Sequence, residues 1–181
     1  MLAVHGREPA DLPALCEAIG VLATVHSDEL TAGGGRTLPG AMEAIAALTG
    51  SPDVVQSVLT GNLRALGLVK LKPFGLLERL DLELAAFGDD HEVRANLVEV
   101  AREQFRARDT GEPDIVLVGD TPMDVEAALT AGTGIVAVAT GRYSMADLTA
   151  AGAPVVLPDL TDTPRVVAAI LAAEPAGLAA G

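Results

Sequence analysis

The feature that most constrains the fold is an alternation of short apolar runs with stretches of helical periodicity. The runs 114–120 (DIVLVGD) and 134–140 (GIVAVAT) are almost continuously apolar, as strands buried on both faces are. Further strands are predicted at 54–60, at 82–88 and within 153–160. Strands that alternate with helices imply right-handed crossovers and a mostly parallel sheet with helices on both faces. The sequence therefore predicts an α/β, Rossmann-like fold.

The predicted helices fill the intervals between these strands. Their apolar residues recur three and four positions apart, and Gly or Pro stands near several of their ends. They cover the segments 40–48, 62–76, 91–108, 122–132, 144–152 and 163–173.

The first 35 residues are predicted to be a separate unit. Apolar residues within 11–26 recur at helical spacing, and the glycine-rich segment 31–40 has the composition of a linker. We therefore expect the α/β domain to span residues 36–175. A disordered tail is expected at 176–181.

Charge and composition exclude several classes of function. The formal net charge of -13 repels a nucleic-acid backbone, so no nucleic-acid partner is expected. The apolar runs are much shorter than the roughly 20 residues that cross a bilayer, so no membrane segment is expected. Because Cys16 is the only cysteine and no secretory signal is evident, we expect a cytoplasmic protein. The sequence carries no signal for the oligomeric state.

Residues that suit a ligand site stand directly after four predicted strands, at the end where open parallel sheets bind ligands. These positions are Thr60, Asp89 with Asp90, Asp120, and Thr140 with Gly141.

Asp120 and Asp124 are candidate ligands for Mg²⁺, which prefers carboxylate oxygens. Asp120 follows a strand, and Asp124 lies on the first turn of the next helix. Asp124 has a second interpretation, because Thr121, Pro122 and Asp124 also match an N-terminal capping box. Both interpretations stay open for Asp124, whereas capping does not explain Asp120.

A phosphate site is indicated by Thr60, Gly61 and Asn62, which lead into a predicted helix. Free backbone N–H groups and the helix dipole favour an anion at such a position. Arg94 lies on the first turn of another helix, and its guanidinium can bind phosphate through two N–H groups. The alternative to phosphate binding is helix capping for Thr60 and Asn62. For Arg94 the alternative is an ordinary surface position. Lys70 is interpreted as offsetting a helix dipole.

In chain order, the segments SVLTGN, FGDDHEVR, IVLVGDTPMD and GIVAVATG resemble the haloacid dehalogenase-like (HAD) superfamily, most closely its phosphoglycolate-phosphatase-like branch. The resemblance extends over about residues 36–172. It implies a hydrolase, a Mg²⁺-dependent phosphatase that acts on a small phosphorylated metabolite. It also implies that Thr60 binds the transferred phosphoryl group, that Arg94 neutralises it, and that Asp120 and Asp124 hold Mg²⁺. Residues 1–35 would be a remnant of the helical cap.

One motif of that superfamily is absent from this sequence: an apolar strand ending in D-x-D-G-T, which supplies the nucleophilic aspartate. Loss of a nucleophile lowers turnover by a factor on the order of 10⁶. We therefore expect a truncated chain that is inactive by itself. In the family this first strand is central, between the strands that end at Thr60 and Asp120. Without it, those strands would pair with each other, leave a slot, or borrow a strand from another chain.

Two non-catalytic readings are alternatives. One is a degenerate family member that only binds phosphate or metal in an acidic pocket. The other is a receiver-like module, because IVLVGDTPM resembles a strand that ends in a phospho-acceptor. A receiver needs an acidic pair after its first strand and a lysine after its last. Neither VVQSVLTGN nor GIVAVATGR supplies them.

Overall fold

The structure is a computed structural model that describes Val21 and residues 35–109 and 111–175. Apart from Val21 and residue 35, the predicted cap remnant lies outside the described residues, as do residues 31–34 of the linker-like segment and the predicted tail at 176–181. Within the described ranges, no helix is both long enough and apolar enough to cross a membrane.

The described chain forms a parallel three-stranded sheet in the order β1-β2-β3, with helices between the strands. This confirms the predicted α/β, Rossmann-like arrangement, and each helix predicted from residue 40 onward is present. The elements are α1 (Ala41–Thr49), α2 (Arg64–Leu71), a 3₁₀ turn (Lys72–Phe74), α3 (Arg94–Arg108), β1 (Val116–Gly119), α4 (Pro122–Thr130), β2 (Gly134–Val138), α5 (Met145–Ala150), β3 (Val155–Leu157) and α6 (Thr163–Leu171).

The core lies on both faces of the sheet. All five residues of β2 are buried, and their side chains alternate between the faces. Val136 and Val138 pack with α1 and α6 on one face. Ile135 and Ala137 pack with α4 and α5 on the other. The central strand therefore has no polar face, which explains its continuous apolar sequence.

Local sequence signals fix the ends of several helices. In α5, the Ser144 hydroxyl accepts a bond from the Asp147 N–H at 3.2 Å, and the Asp147 carboxylate accepts one from the Ser144 N–H at 2.9 Å. This reciprocal pair is a capping box. Gly40 precedes α1 with φ of 83°, and a Cβ there would overlap the carbonyl of Leu160. Only glycine fits that position.

The prediction of regular strands at 54–60 and 82–88 was wrong. These segments share a single parallel bridge between Leu59 and Ala86. The Thr60 N–H donates to the Ala86 carbonyl at 3.0 Å, and the Ala86 N–H donates to the Val58 carbonyl at 2.9 Å. Because no third strand pairs with either segment in the described chain, the ladder does not extend beyond this bridge.

One edge of β1 is open. Among the described residues, β1 pairs with β2 alone, and Val118 in its middle is 48% exposed. Residues 54–60 do not pair with β1. Direct pairing of residues 54–60 with β1 is therefore not found in the described chain. That pairing was one of the three arrangements expected for a sheet without its first strand.

Candidate functional site

Thr60, Gly61 and Asn62 form a turn between the Leu59–Ala86 bridge and α2, here called the phosphate turn. The Thr60 hydroxyl oxygen accepts hydrogen bonds from the Asn62 backbone N–H at 3.2 Å and from the Asn62 side-chain amide at 2.9 Å. The Gly88 N–H donates to the Asn62 carbonyl at 2.9 Å, and a Cβ on Gly88 would overlap the Gly61 carbonyl. The phosphate turn is thus held close against the loop after Ala86.

Lys70 is a residue whose contact the sequence analysis missed. Its ammonium donates to the Asn62 side-chain oxygen at 3.1 Å, so it reaches the phosphate turn instead of acting only on the helix dipole. No spacing rule indicated this contact, because Asn62 precedes the helix α2 that carries Lys70.

Asp89 and Asp90 have structural roles. Asp89 accepts a bond from the Arg64 N–H at 2.9 Å, at the first residue of α2. Asp90 accepts one from the Phe87 N–H at 2.7 Å. The Arg64 guanidinium lies 4.4 Å from the centre of the Phe87 ring and 3.7 Å from the Asp90 carboxylate. Both carboxylates therefore stabilise the loop and the start of α2.

Arg94 and Asp124 bind each other. Arg94 is the first residue of α3, and its Nη2 lies 2.7 Å from Asp124 Oδ1. Asp124 also accepts bonds from the Thr121 N–H at 3.1 Å and the Thr121 hydroxyl at 2.8 Å, in a complete capping box. The capping role of Asp124 is therefore confirmed. The phosphate role of Arg94 and the metal role of Asp124 stay predictions.

Asp120 differs from Asp124 in its surroundings. Within residues 35–109 and 111–175, no hydrogen bond or ion pair engages the half-buried Asp120 carboxylate. It lies against Gly141, where a Cβ would overlap it. A carboxylate with unused oxygens suits a hard cation. The same residues contain no cluster of three or more acidic, His or Cys side chains placed to hold a metal. The chemistry of the Asp120 carboxylate is therefore compatible with Mg²⁺, but the described residues offer only a partial ligand set, and the metal role of Asp120 stays a prediction.

Arg94, Asp120 and Asp124 lie around the end of β1 and are here called the carboxylate cluster: the Asp124 carboxylate, paired with Arg94, lies against Gly119, and Asp120 follows that glycine in the chain. In the described chain, no hydrogen bond or ion pair joins it to the phosphate turn. The loop from Gly88, which touches the phosphate turn, leads directly to Arg94. The two groups are thus linked along the chain through the start of α3, and their union in one site stays a prediction.

Comparison with known proteins identifies the fold. Residues 94–163 match the family model described as HAD-hydrolase-like. No curated protein matches the chain.

Similar solved structures include a protein assigned as a beta-phosphoglucomutase from Bacteroides vulgatus (20% identity, TM-score 0.59) and one assigned as a phosphatase from Clostridium acetobutylicum (18%, 0.61). The alignments cover 74% and 71% of this chain, but only 54% and 59% of those proteins. A protein assigned as a beta-phosphoglucomutase from Thermotoga maritima is similar at 21% identity, with a TM-score of 0.55, and the alignment covers 72% of this chain and 59% of that protein. The chain thus spans little more than half the length of these proteins, and the shared feature is the fold.

Proposed function

Because this chain has a haloacid dehalogenase-like fold and a HAD-hydrolase-like segment at residues 94–163, we propose that it belongs to a Mg²⁺-dependent cytoplasmic phosphatase of small phosphorylated metabolites. The observation that carries the proposal is the Asp120 carboxylate, which has no partner in the described chain and stands at the carboxyl end of the parallel strand β1. Ligand sites of open α/β sheets lie at that end.

The phosphate turn would bind the phosphoryl group. Both acceptor directions of the Thr60 oxygen are taken by Asn62, so its O–H is left to donate to a phosphate oxygen. Gly61 is exposed, and a Cβ there would meet nothing within 4 Å, so its backbone leaves room for an anion. Asn62 contributes by holding Thr60. Arg94 retains a buried Nε without a partner in the described chain, and that group is a further donor for the phosphate.

The carboxylate cluster would hold Mg²⁺. Asp120 would be the direct ligand, and Asp124 an outer partner, because Arg94 and Thr121 already occupy its oxygens. When bound, the cation offsets the negative charge that the phosphoryl oxygens carry during transfer. Since no aspartate of the sequence lies in a D-x-D-G-T frame, the chain by itself is expected to bind phosphate and Mg²⁺ without turnover.

Ligand binding and turnover test the proposal together. Titrations of inorganic phosphate and of Mg²⁺ should both show binding. Thr60→Val should weaken phosphate and Asp120→Asn should weaken Mg²⁺, each by on the order of tenfold. Asp114→Asn is the matched control, because it removes the same charge from an exposed position before β1. Hydrolysis of p-nitrophenyl phosphate should stay at background with and without Mg²⁺.

The outcomes separate the parts of the proposal. Metal-dependent hydrolysis that Asp120→Asn abolishes would support a phosphatase and refute the expected inactivity. Binding of both ligands without hydrolysis also fits the non-catalytic alternative, which a longer chain that carries the D-x-D-G-T strand would distinguish by its activity. Failure of the chain to bind either ligand would refute the proposed site.

A further inference from the structure

We infer that Lys70 is a positioning residue of the phosphate turn: through Asn62, it directs the Thr60 hydroxyl hydrogen outward, toward a bound anion. The inference rests on the proposed function and adds to it a residue that no motif of the sequence indicated. It depends on a chain of three side chains, from Lys70 to Asn62 to Thr60.

The contacts in this chain have a defined direction. The Lys70 ammonium donates to Asn62 Oδ1 at 3.1 Å. Asn62 Nδ2 then donates to Thr60 Oγ1 at 2.9 Å, and the Asn62 backbone N–H donates to the same oxygen at 3.2 Å. Lys70 is exposed on α2, so its contact with Asn62 is not enforced by burial in the core.

Donor and acceptor counting explains why the direction matters. An ammonium group has donors only, so the Asn62 side chain must present its oxygen to Lys70 and its NH₂ to Thr60. A hydroxyl has one donor and two acceptor positions, and both acceptor positions on Thr60 are filled. The Thr60 hydrogen therefore points away from Asn62, and its partner must be an acceptor such as a phosphate oxygen.

Without Lys70 the orientation of Asn62 is no longer fixed. The amide can rotate by a half-turn and present Oδ1 to the Thr60 hydroxyl, which then donates to Asn62 instead of to an anion. A hydrogen bond of this kind changes affinity by about three- to tenfold. The effect is local, because the charge of an exposed lysine acting through solvent is strongly screened.

Variants of Lys70 test the inference through the dissociation constant of inorganic phosphate. Lys70→Met keeps the side-chain stem but removes the donors, and it should raise that constant by about three- to tenfold. Lys70→Arg retains donors and should restore binding to within about twofold of the unmodified chain. Lys72→Met removes the same charge two residues away, from an exposed position, and should change it less than about twofold.

A second measurement follows the orientation of Asn62 directly. In ¹H–¹⁵N NMR spectra, the Asn62 side-chain NH₂ signals should show a contact with Thr60 in the unmodified chain and in Lys70→Arg. That contact should be lost in Lys70→Met. The unfolding midpoint of each variant, measured in urea, separates this effect from a loss of folding.

Each outcome decides the question. The inference is supported if Lys70→Met weakens phosphate and loses the Asn62–Thr60 contact, while Lys70→Arg and Lys72→Met do neither. Equal losses for Lys70→Met and Lys72→Met would refute it, because they would show that the lysine charge, and not the bond to Asn62, determines the affinity for phosphate. Phosphate binding that Thr60→Val reduces but Lys70→Met leaves unchanged would refute this inference alone. No phosphate binding by the unmodified chain would refute it together with the proposed function.

Discussion

Replacement of Arg94 by Met should destabilise the chain and at the same time increase its response to Mg²⁺. The Arg94–Asp124 pair is 2.7 Å long, and its side chains are 28% and 9% exposed. Breaking a fully buried pair costs about 3–5 kcal/mol, and a hydrogen bond to a charged group contributes about 1.5–3 kcal/mol. Because Arg94 is partly exposed and Asp124 keeps its two bonds from Thr121, we expect a loss of about 1–2 kcal/mol in the free energy of unfolding.

Urea unfolding with and without Mg²⁺ measures both effects. The unmodified chain, Arg94→Met, Asp124→Asn and the double variant form a cycle, whose coupling energy should be about 1 kcal/mol or more. Arg106→Met, which breaks an exposed ion pair with Glu112, is the control and should change stability much less. Mg²⁺ should raise the midpoint of Arg94→Met more than that of the unmodified chain, because Asp124 is released for the cation.

Two results would refute this reasoning. An unfolding free energy of Arg94→Met equal to that of Arg106→Met would mean that the Arg94–Asp124 pair contributes no more than an exposed ion pair. A smaller Mg²⁺ response in Arg94→Met would mean that Arg94 supports the cation site instead of competing with the cation for Asp124.

Two further predictions concern pH and the room around Asp120. The hydrogen bond from the Arg108 guanidinium lowers the pKa of Asp81 below its usual 3.8. The ionised Asp81 carboxylate therefore stabilises the fold above pH 3.8, and this contribution is lost as the pH falls through the lowered pKa. The stability gap between the unmodified chain and Asp81→Asn in urea should therefore close in acid, and a pH-independent gap would contradict this. Gly141→Ala should displace the Asp120 carboxylate and weaken the binding of Mg²⁺, measured by titration, by on the order of tenfold. Gly111→Ala is the control, because a Cβ at Gly111 meets nothing within 4 Å. Equal Mg²⁺ affinities of the two variants would contradict the placement of Asp120.

The parts of the fold that could be predicted are those in which local sequence and burial agree. The segment GIVAV is apolar throughout because helices cover both faces of the sheet at β2, and Val116 and Leu117 of VLVG pack against the same two core clusters. The start of α4 could be predicted because Thr121, Pro122 and Asp124 satisfy orphan N–H groups within one turn. The resemblance to the haloacid dehalogenase-like superfamily is confirmed over residues 94–163, which include these segments and match the HAD-hydrolase-like family model.

The parts that could not be predicted depend on contacts between distant segments. Residues 54–60 have strand-like composition, but a strand also needs a ladder of hydrogen-bonded neighbours, and within the described ranges this segment forms a single β-bridge, at Leu59. The Arg94–Asp124 pair joins the first turns of two helices, and no spacing rule connects residues so far apart. Their roles as phosphate and metal ligands were predicted separately, and nothing in the sequence indicated that they would bind each other.

The charge of the molecule explains why the proposed site needs a cation. With a net charge of -13, the chain repels a phosphate ester unless positive charge is concentrated locally. Arg94 lies in the carboxylate cluster, where Asp124 neutralises its charge. Lys70 lies beside the phosphate turn, where it is exposed and donates a hydrogen bond to Asn62. Asp120 then leaves the carboxylate cluster with a net negative charge. A divalent cation on Asp120 would reverse that sign, so phosphate should bind more tightly when Mg²⁺ is present, and by linkage Mg²⁺ should bind more tightly when phosphate is present.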